Sequence, residues 1–308
     1  MPVSKVLLSH ERNIFHKQLL DTILSVDAGG IPSNADRSNK LSVQLAQGIH
    51  QRILQEVTLH ADIAQEQPTT YMKRQKAQGQ TSGSIFEEKT MEFLRSTFPK
   101  LQHIRPGNWH ILKLGNKNAI KTSDFAQYEH LAYLNALVKR DSHLSAALGN
   151  DYMVAPDIIV YRDLYTDEEL NTPEAIVDDH TAKSAAIRKI NGGKPILHAS
   201  VSAKWTMRSD RAQNSRTEAL NLIRNRKGSL PHIVVVTGEP TPSRLASLAL
   251  GTGDIDCLYH FALYELVDTV NELAAETPAA EDTQQLLQTL IEGKRLKDIS
   301  DLPLDLGV

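Results

Sequence analysis

The chain has 308 residues, 41% of them hydrophobic and 23% charged, enough to build one large or two modest cored domains. No run of 18 apolar residues occurs, and residues 1–10 lack the basic start, apolar stretch and small-residue cleavage site of a secretory signal, which excludes a membrane-spanning helix and points to the cytoplasm. A net charge of −3, from 34 basic and 37 acidic side chains, excludes a uniformly basic nucleic-acid coat, and the single cysteine, Cys257, excludes an internal disulfide or thiolate metal cage.

The first third reads as helical, with a periodic apolar set at Ile14, Leu19, Leu20, Ile23 and Leu24 and another at Leu41, Val43, Leu45, Ile49 and Ile53. Between them, 28–39 is a loop of Gly, Pro, Ser and Asn. A polar stretch over 65–83, ending in Gly79-Gln80-Thr81-Ser82-Gly83, predicts a flexible surface loop. Ser84 and Glu87 have capping-box spacing, so a helix is expected to begin there, with Phe86, Phe93, Leu94 and Phe98 on its apolar face.

Beyond residue 150 the pattern changes to short β-branched runs over 153–161, 196–205 and 232–237, with helical patterns over 212–226, 243–250, 262–275 and 283–291. The layout predicts an α/β protein. The acidic stretch 166–180 reads as an insertion between strands. With no repeat and no linker in view, one domain over 1–308 is expected, its helical part over 1–100 and its chemistry in a core over about 150–275. Cys257 sits among apolar neighbours and reads as core.

In a strand over 196–205, alternation puts His198, Ser200, Ser202 and Lys204 on one face and Leu197, Ala199, Val201 and Ala203 on the other. An ammonium in a core-like strand needs an anion nearby. Asp157, after Pro156, opens another apolar strand, and Glu218 lies on the helix that follows Lys204. Two carboxylates, a serine and a lysine suit metal-assisted phosphodiester hydrolysis, because Mg²⁺ takes hard oxygen ligands and a lysine can stabilise the phosphate and orient the attacking water. Each residue also has a plainer reading. Asp157 serves equally as a turn residue, Lys204 as a surface-reaching edge lysine, Ser202 as a space filler and Glu218 as a solvated helix residue.

Residues 204–227 hold seven basic side chains against two acidic ones, a local excess that the total conceals. Arg208, Asp210 and Arg211 lie inside it. Arginine bridges guanine O6 and N7 and aspartate accepts from cytosine N4, so the run can read G·C pairs, although Arg-Asp-Arg runs also occur as surface ion pairs.

Ser202-x-Lys204, Arg208-Ser209-Asp210-Arg211 and Glu218 together resemble the signature of type II restriction endonucleases that recognise CCGG-centred sites. The likeness to one branch of that group extends over nearly the whole chain, through stretches such as 14–17, 79–83, 205–214, 225–237 and 239–253. It implies a PD-(D/E)xK restriction-endonuclease-like fold, a central mixed sheet flanked by helices with one active-site carboxylate permuted onto a helix. By the same resemblance Asp157, Glu218 and Glu87 serve the metal, two Mg²⁺ per site, and Lys204 with Ser202 completes the catalytic set. Arg208, Asp210 and Arg211 read the CCGG core, while Ser38, Gln80 and Arg244 contact the outer pair. The implied site is GCCGGC in double-stranded DNA, cut after the first G to leave 5′ CCGG overhangs, by a homotetramer built as a dimer of dimers. The chain departs from the group at Arg37 and in the insert over 65–78. Other classes the residues admit are a structure-selective nuclease and a DNA-binding protein without catalysis.

Overall fold

The computed structural model describes residues 6–59, 79–114, 120–148, 156–207, 209–251 and 253–308. In chain order come α1 (Leu7–Thr22), α2 (Lys40–Leu59), α3 (Gly79–Thr97), β1 (Trp109–Lys113), α4 (His130–Val138), α5 (Ser142–Leu148), β2 (Ile158–Arg162) and α6 (Asp167–Leu170). They are followed by β3 (Ile196–Lys204), α7 (Ser209–Asn225), β4 (His232–Thr237), α8 (Pro242–Ala249), β5 (Cys257–His260), α9 (Leu263–Glu276), α10 (Glu281–Glu292), β6 (Leu296–Asp298) and α11 (Leu302–Asp305). Among the described residues six strands hydrogen-bond in the order β1-β2-β3-β4-β5-β6. Strands β1, β2 and β3 pair antiparallel, and β4, β5 and β6 pair parallel, so the expected mixed sheet with helices is present. No helix of the described residues is long and apolar enough to cross a membrane.

The chain divides into two compact units. One comprises Met1–Arg105, Ser202–Arg216 and Val234–Val308, and the other Pro106–Val201 and Thr217–Ile233.

In the first unit the periodic apolar positions do what the sequence asks of them. Leu19 and Leu20 of α1 and Ile23 and Leu24 just after it are buried, as are Leu45, Ile49 and Ile53 of α2, with Ile14, Leu41 and Val43 half-buried; Phe15 and Val57 join the buried set. An aromatic cluster ties α1 and α3 to the segment after β3: the Phe15 ring lies 5.6 Å from Phe93, Phe86 lies 5.2 Å from Trp205, and Trp205 lies 5.5 Å from Phe261. Each such ring contributes about 1.5–3 kcal/mol by leaving water, which explains why α3 begins at Gly79, earlier than expected. Residues 79–83 are helical, and Ser84 and Glu87 stand inside the helix rather than at its cap. Tertiary burial of Phe86 and Phe93 outweighs the cost of about 1 kcal/mol for each helical glycine. Buried Cys257 is core, as expected, and burial pushes its thiol up to about 11.

The second unit is built on the antiparallel ladder. Lys113 opposes Ile158 and Ile158 opposes Val201, with a bulge between Val160 and Tyr161. Gln127 clamps the strand start, its amide donating to the Leu197 carbonyl at 2.7 Å and accepting the Leu197 N–H at 3.1 Å. Tyr128 donates to the Leu222 carbonyl at 3.0 Å and so fixes the 217–225 part of α7 within the unit.

Candidate active site

Strand β3 carries Ser202 and Lys204 out of the core. Seven consecutive residues, 197–203, are buried, and only at Lys204 does the side chain become half-buried. Ser202 is 8% exposed, and its hydroxyl lies 3.4 Å from that of Ser215 on α7. The Lys204 carbonyl accepts two hydrogen bonds, from the Gly238 N–H at 3.1 Å and from the Thr237 hydroxyl at 2.9 Å, which fix the peptide from which the lysine projects. On the same unit Glu87 is half-buried, one residue after fully buried Phe86.

Asp157 and Glu218 belong to the second unit, and both are half-buried. Asp157 stands just before β2, where its carbonyl accepts the Leu114 N–H at 2.8 Å, and does not itself lie in the strand as the sequence suggested. Glu218 is on α7 beside buried Ala219. The helix reading for 212–226 holds, with a start three residues earlier.

The readout candidates divide into two sets. Arg208 lies outside the described residues, as do the side chains of Gln80, Asp210 and Arg211; the backbone of 209–211 forms the first turn of α7. Ser38 and Arg244 are described, and the structure brings them together through a residue the sequence reading missed. The Ser38 hydroxyl donates to Asp36 Oδ1 at 2.7 Å, and Arg244 Nη2 donates to Asp36 Oδ2. Hydrogen bonds from Ser38, and then from Arg244, hold the Asp36 carboxyl down to about 2. Arg244 also places Nη1 3.7 Å from Glu239. Next to Asp36, Arg37 pairs with Asp27. The spacing Asp36-x-Ser38 is a local hydroxyl-to-carboxylate turn and was the one available signal for Asp36.

A further group of potential metal ligands, His16, Glu56 and Glu265, comes together within 4.8 Å. It suits Mg²⁺ poorly. Arg12 donates to both Glu265 oxygens, at 2.8 and 2.7 Å, and Mg²⁺ prefers oxygen ligands to imidazole. Asp157 and Glu218 in the second unit and Glu87 in the first each offer carboxylate oxygens, the type of donor that Mg²⁺ prefers.

A family model described as NgoMIV restriction enzyme matches residues 15–308. The chain is 51% identical over 303 residues to the type II restriction enzyme NgoMIV of Neisseria gonorrhoeae, an alignment covering 98% of this chain and 99% of that protein. A solved complex of restriction endonuclease PspGI with substrate DNA aligns over 99% of this chain and 96% of that one, at 13% identity and a TM-score of 0.32, too loose a superposition to bear on the fold.

Proposed function

The chain belongs to the NgoMIV restriction enzyme family, and from that premise we propose that it cuts GCCGGC in double-stranded DNA after the first G, using Mg²⁺ with Asp157, Glu218, Glu87, Ser202 and Lys204. It is a type II site-specific deoxyribonuclease. The observation that carries the assignment of the site is the β2–β3 register. Ile158 of β2 opposes Val201 of β3; Asp157 immediately precedes the one in sequence and Ser202 immediately follows the other, with Lys204 two further on the face of Ser202.

In this reading Asp157, Glu218 and Glu87 supply the oxygen ligands. Bound Mg²⁺ lowers the pKa of water and offsets charge that develops on the phosphate. Lys204, on its doubly anchored peptide, holds a phosphate oxygen and orients the attacking water; Ser202 occupies the strand position where a second carboxylate would otherwise stand. Arg208, Asp210 and Arg211 read the CCGG core, and Ser38, Gln80 and Arg244 read the outer pair. Two dimers assemble back to back as a homotetramer, a state that sedimentation at micromolar protein reports directly.

The deciding experiment pairs a digest with a variant. Fragment ends from a sequenced plasmid should map to the first G of GCCGGC, and ends elsewhere overturn the site. Asp157→Ala should abolish cutting while specific binding in Ca²⁺ persists; a protein that still cuts removes Asp157 from the chemistry, and one that fails to fold makes it structural.

A further inference from the structure

Glu239 is fully buried at the turn between β4 and α8. Desolvation of an ionisable side chain is expensive, and here it pushes the carboxyl upward, so its site must return something. The side chain accepts the Met207 N–H at 3.0 Å and the Thr241 N–H at 3.2 Å, and it faces Arg244 Nη1 at 3.7 Å. Its own backbone is held just as firmly. The Glu239 N–H donates to the Thr237 hydroxyl at 3.1 Å, and that hydroxyl donates to the Lys204 carbonyl. The Glu239 carbonyl lies 3.1 Å from His260 Nε2, and the preceding Gly238 carbonyl accepts from Asn34 at 2.7 Å, itself held by His50 at 2.9 Å. Burial drives His50 down to about 3 and His260 to about 4, so both rings act as neutral hydrogen-bonding parts.

The turn has no slack. A Cβ at Gly238 would stand 2.5 Å from the Trp205 ring and 2.8 Å from the Trp205 carbonyl, so only glycine admits this approach of the β4 end to the segment that leaves β3. The carboxylate therefore holds the Met207 N–H and faces the guanidinium of Arg244, while the Glu239 backbone N–H reaches the Lys204 peptide through the Thr237 hydroxyl.

We infer that Glu239 is a positioning residue that sets Arg244 and the Met207 peptide at a fixed spacing from the Lys204 end of β3, so that reading of the outer base pair and cutting are linked. The inference rests on the readout and catalytic roles proposed above. A neutral amide at this position keeps the shape, but its NH₂ group meets a backbone N–H where the carboxylate accepted one, and the attraction for Arg244 is lost.

The test measures cutting rates on GCCGGC and on CCGG sites with a changed outer pair, for Glu239→Gln, Glu239→Asp and Arg244→Ala, with Val57→Ala on α2 as a remote variant of the core. Glu239→Gln should lower the preference for the cognate outer pair by about tenfold or more, the size of one lost bidentate contact. Glu239→Asp, which keeps the charge, should restore part of it. Val57→Ala should lower the melting temperature and leave the preference intact. If Glu239→Gln lowers only the melting temperature, as Val57→Ala does, Glu239 is merely structural. If Arg244→Ala leaves the preference untouched, the readout role itself fails; if Arg244→Ala loses it and Glu239→Gln does not, only the positioning role fails. Should Glu239→Gln not fold, Thr237→Val removes the hydroxyl that joins the Glu239 backbone to the Lys204 peptide, and an unchanged rate and outer-pair preference overturn the inference.

Discussion

Two arginine clusters in the first unit have the same chemistry and opposite settings. Arg12 is 6% exposed along its side chain, and its guanidinium makes four hydrogen bonds of 2.7–2.9 Å to two carboxylates, Glu265 and Asp298, with the Tyr264 ring 4.8 Å away. Arg244 is 33% exposed and makes its hydrogen bond to one carboxylate, Asp36, with Glu239 beyond hydrogen-bonding distance. The first cluster is closed: α1, α9 and β6 each commit a charged side chain to it, and Asp298 also accepts the Leu263 and Ser300 N–H groups at 3.0 and 2.9 Å. The second keeps a third of its cation open to solvent. An arginine beside acidic residues thus says little by itself; what separates a closed ion network from one still open to a ligand is how many of its donors the protein has already used.

Breaking the closed cluster should have the largest effect. Arg12→Met leaves Glu265 and Asp298 buried without their counterion and should cost about 3–5 kcal/mol in urea unfolding; a loss below about 1 kcal/mol would show the cluster to be dispensable. Its folded fraction should keep the wild-type site preference. At the open cluster, Arg244→Ala should cost about 1–3 kcal/mol of specific affinity measured in Ca²⁺, confined to the outer pair, with little change in unfolding.

A subtler probe is pH. Burial, together with the hydrogen bond to Glu265 and that residue's charge, pushes the Glu56 carboxyl up to about 7, while the His16 ring and the Arg12 guanidinium, working against burial, bring Glu265 down to about 2. An acid whose folded pKa exceeds its unfolded one adds stability at low pH and loses it as pH rises through the folded value. Melting temperature should therefore fall between about pH 5 and about pH 8, and Glu56→Gln should flatten that fall; an unchanged slope would remove Glu56 from it. Arg37→Ala, which breaks an ion pair whose arginine is 71% exposed, should be the smallest change, under about 1 kcal/mol in unfolding.

Strand β4 was legible residue for residue, because His232–Thr237 is an unbroken β-branched run between Pro231 and Gly238. Strand β3 was legible too, since 196–205 reads as a strand and Ile196–Lys204 forms one. Strand β1 was not, since Trp109–Lys113 is half-buried and stands among polar loops, and β6 has only three residues. Such strands gain their register from neighbours rather than from a pattern of their own. The start of α3 was hidden by glycines that local propensity assigns to a loop. The motifs identified the family, and the 51% identity over nearly the full length bears that out. Asp36 and Glu239 escaped because their local partners, Ser38 and Thr241, mark only turns, while the partners that matter lie far along the chain: Arg244 is 208 residues from Asp36, and Met207 is 32 residues before Glu239.

Strand β3 has neighbours on both sides and seven consecutive buried residues. In the terms of hydrogen–deuterium exchange, its amides reach solvent only when the sheet itself opens, so β3 should be among the last segments to exchange. Ser202 and Lys204 thus project from backbone expected to open more slowly than the loops holding Arg37 and Ser38, and the lifetime of any arrangement they take part in is set by the stability of the sheet.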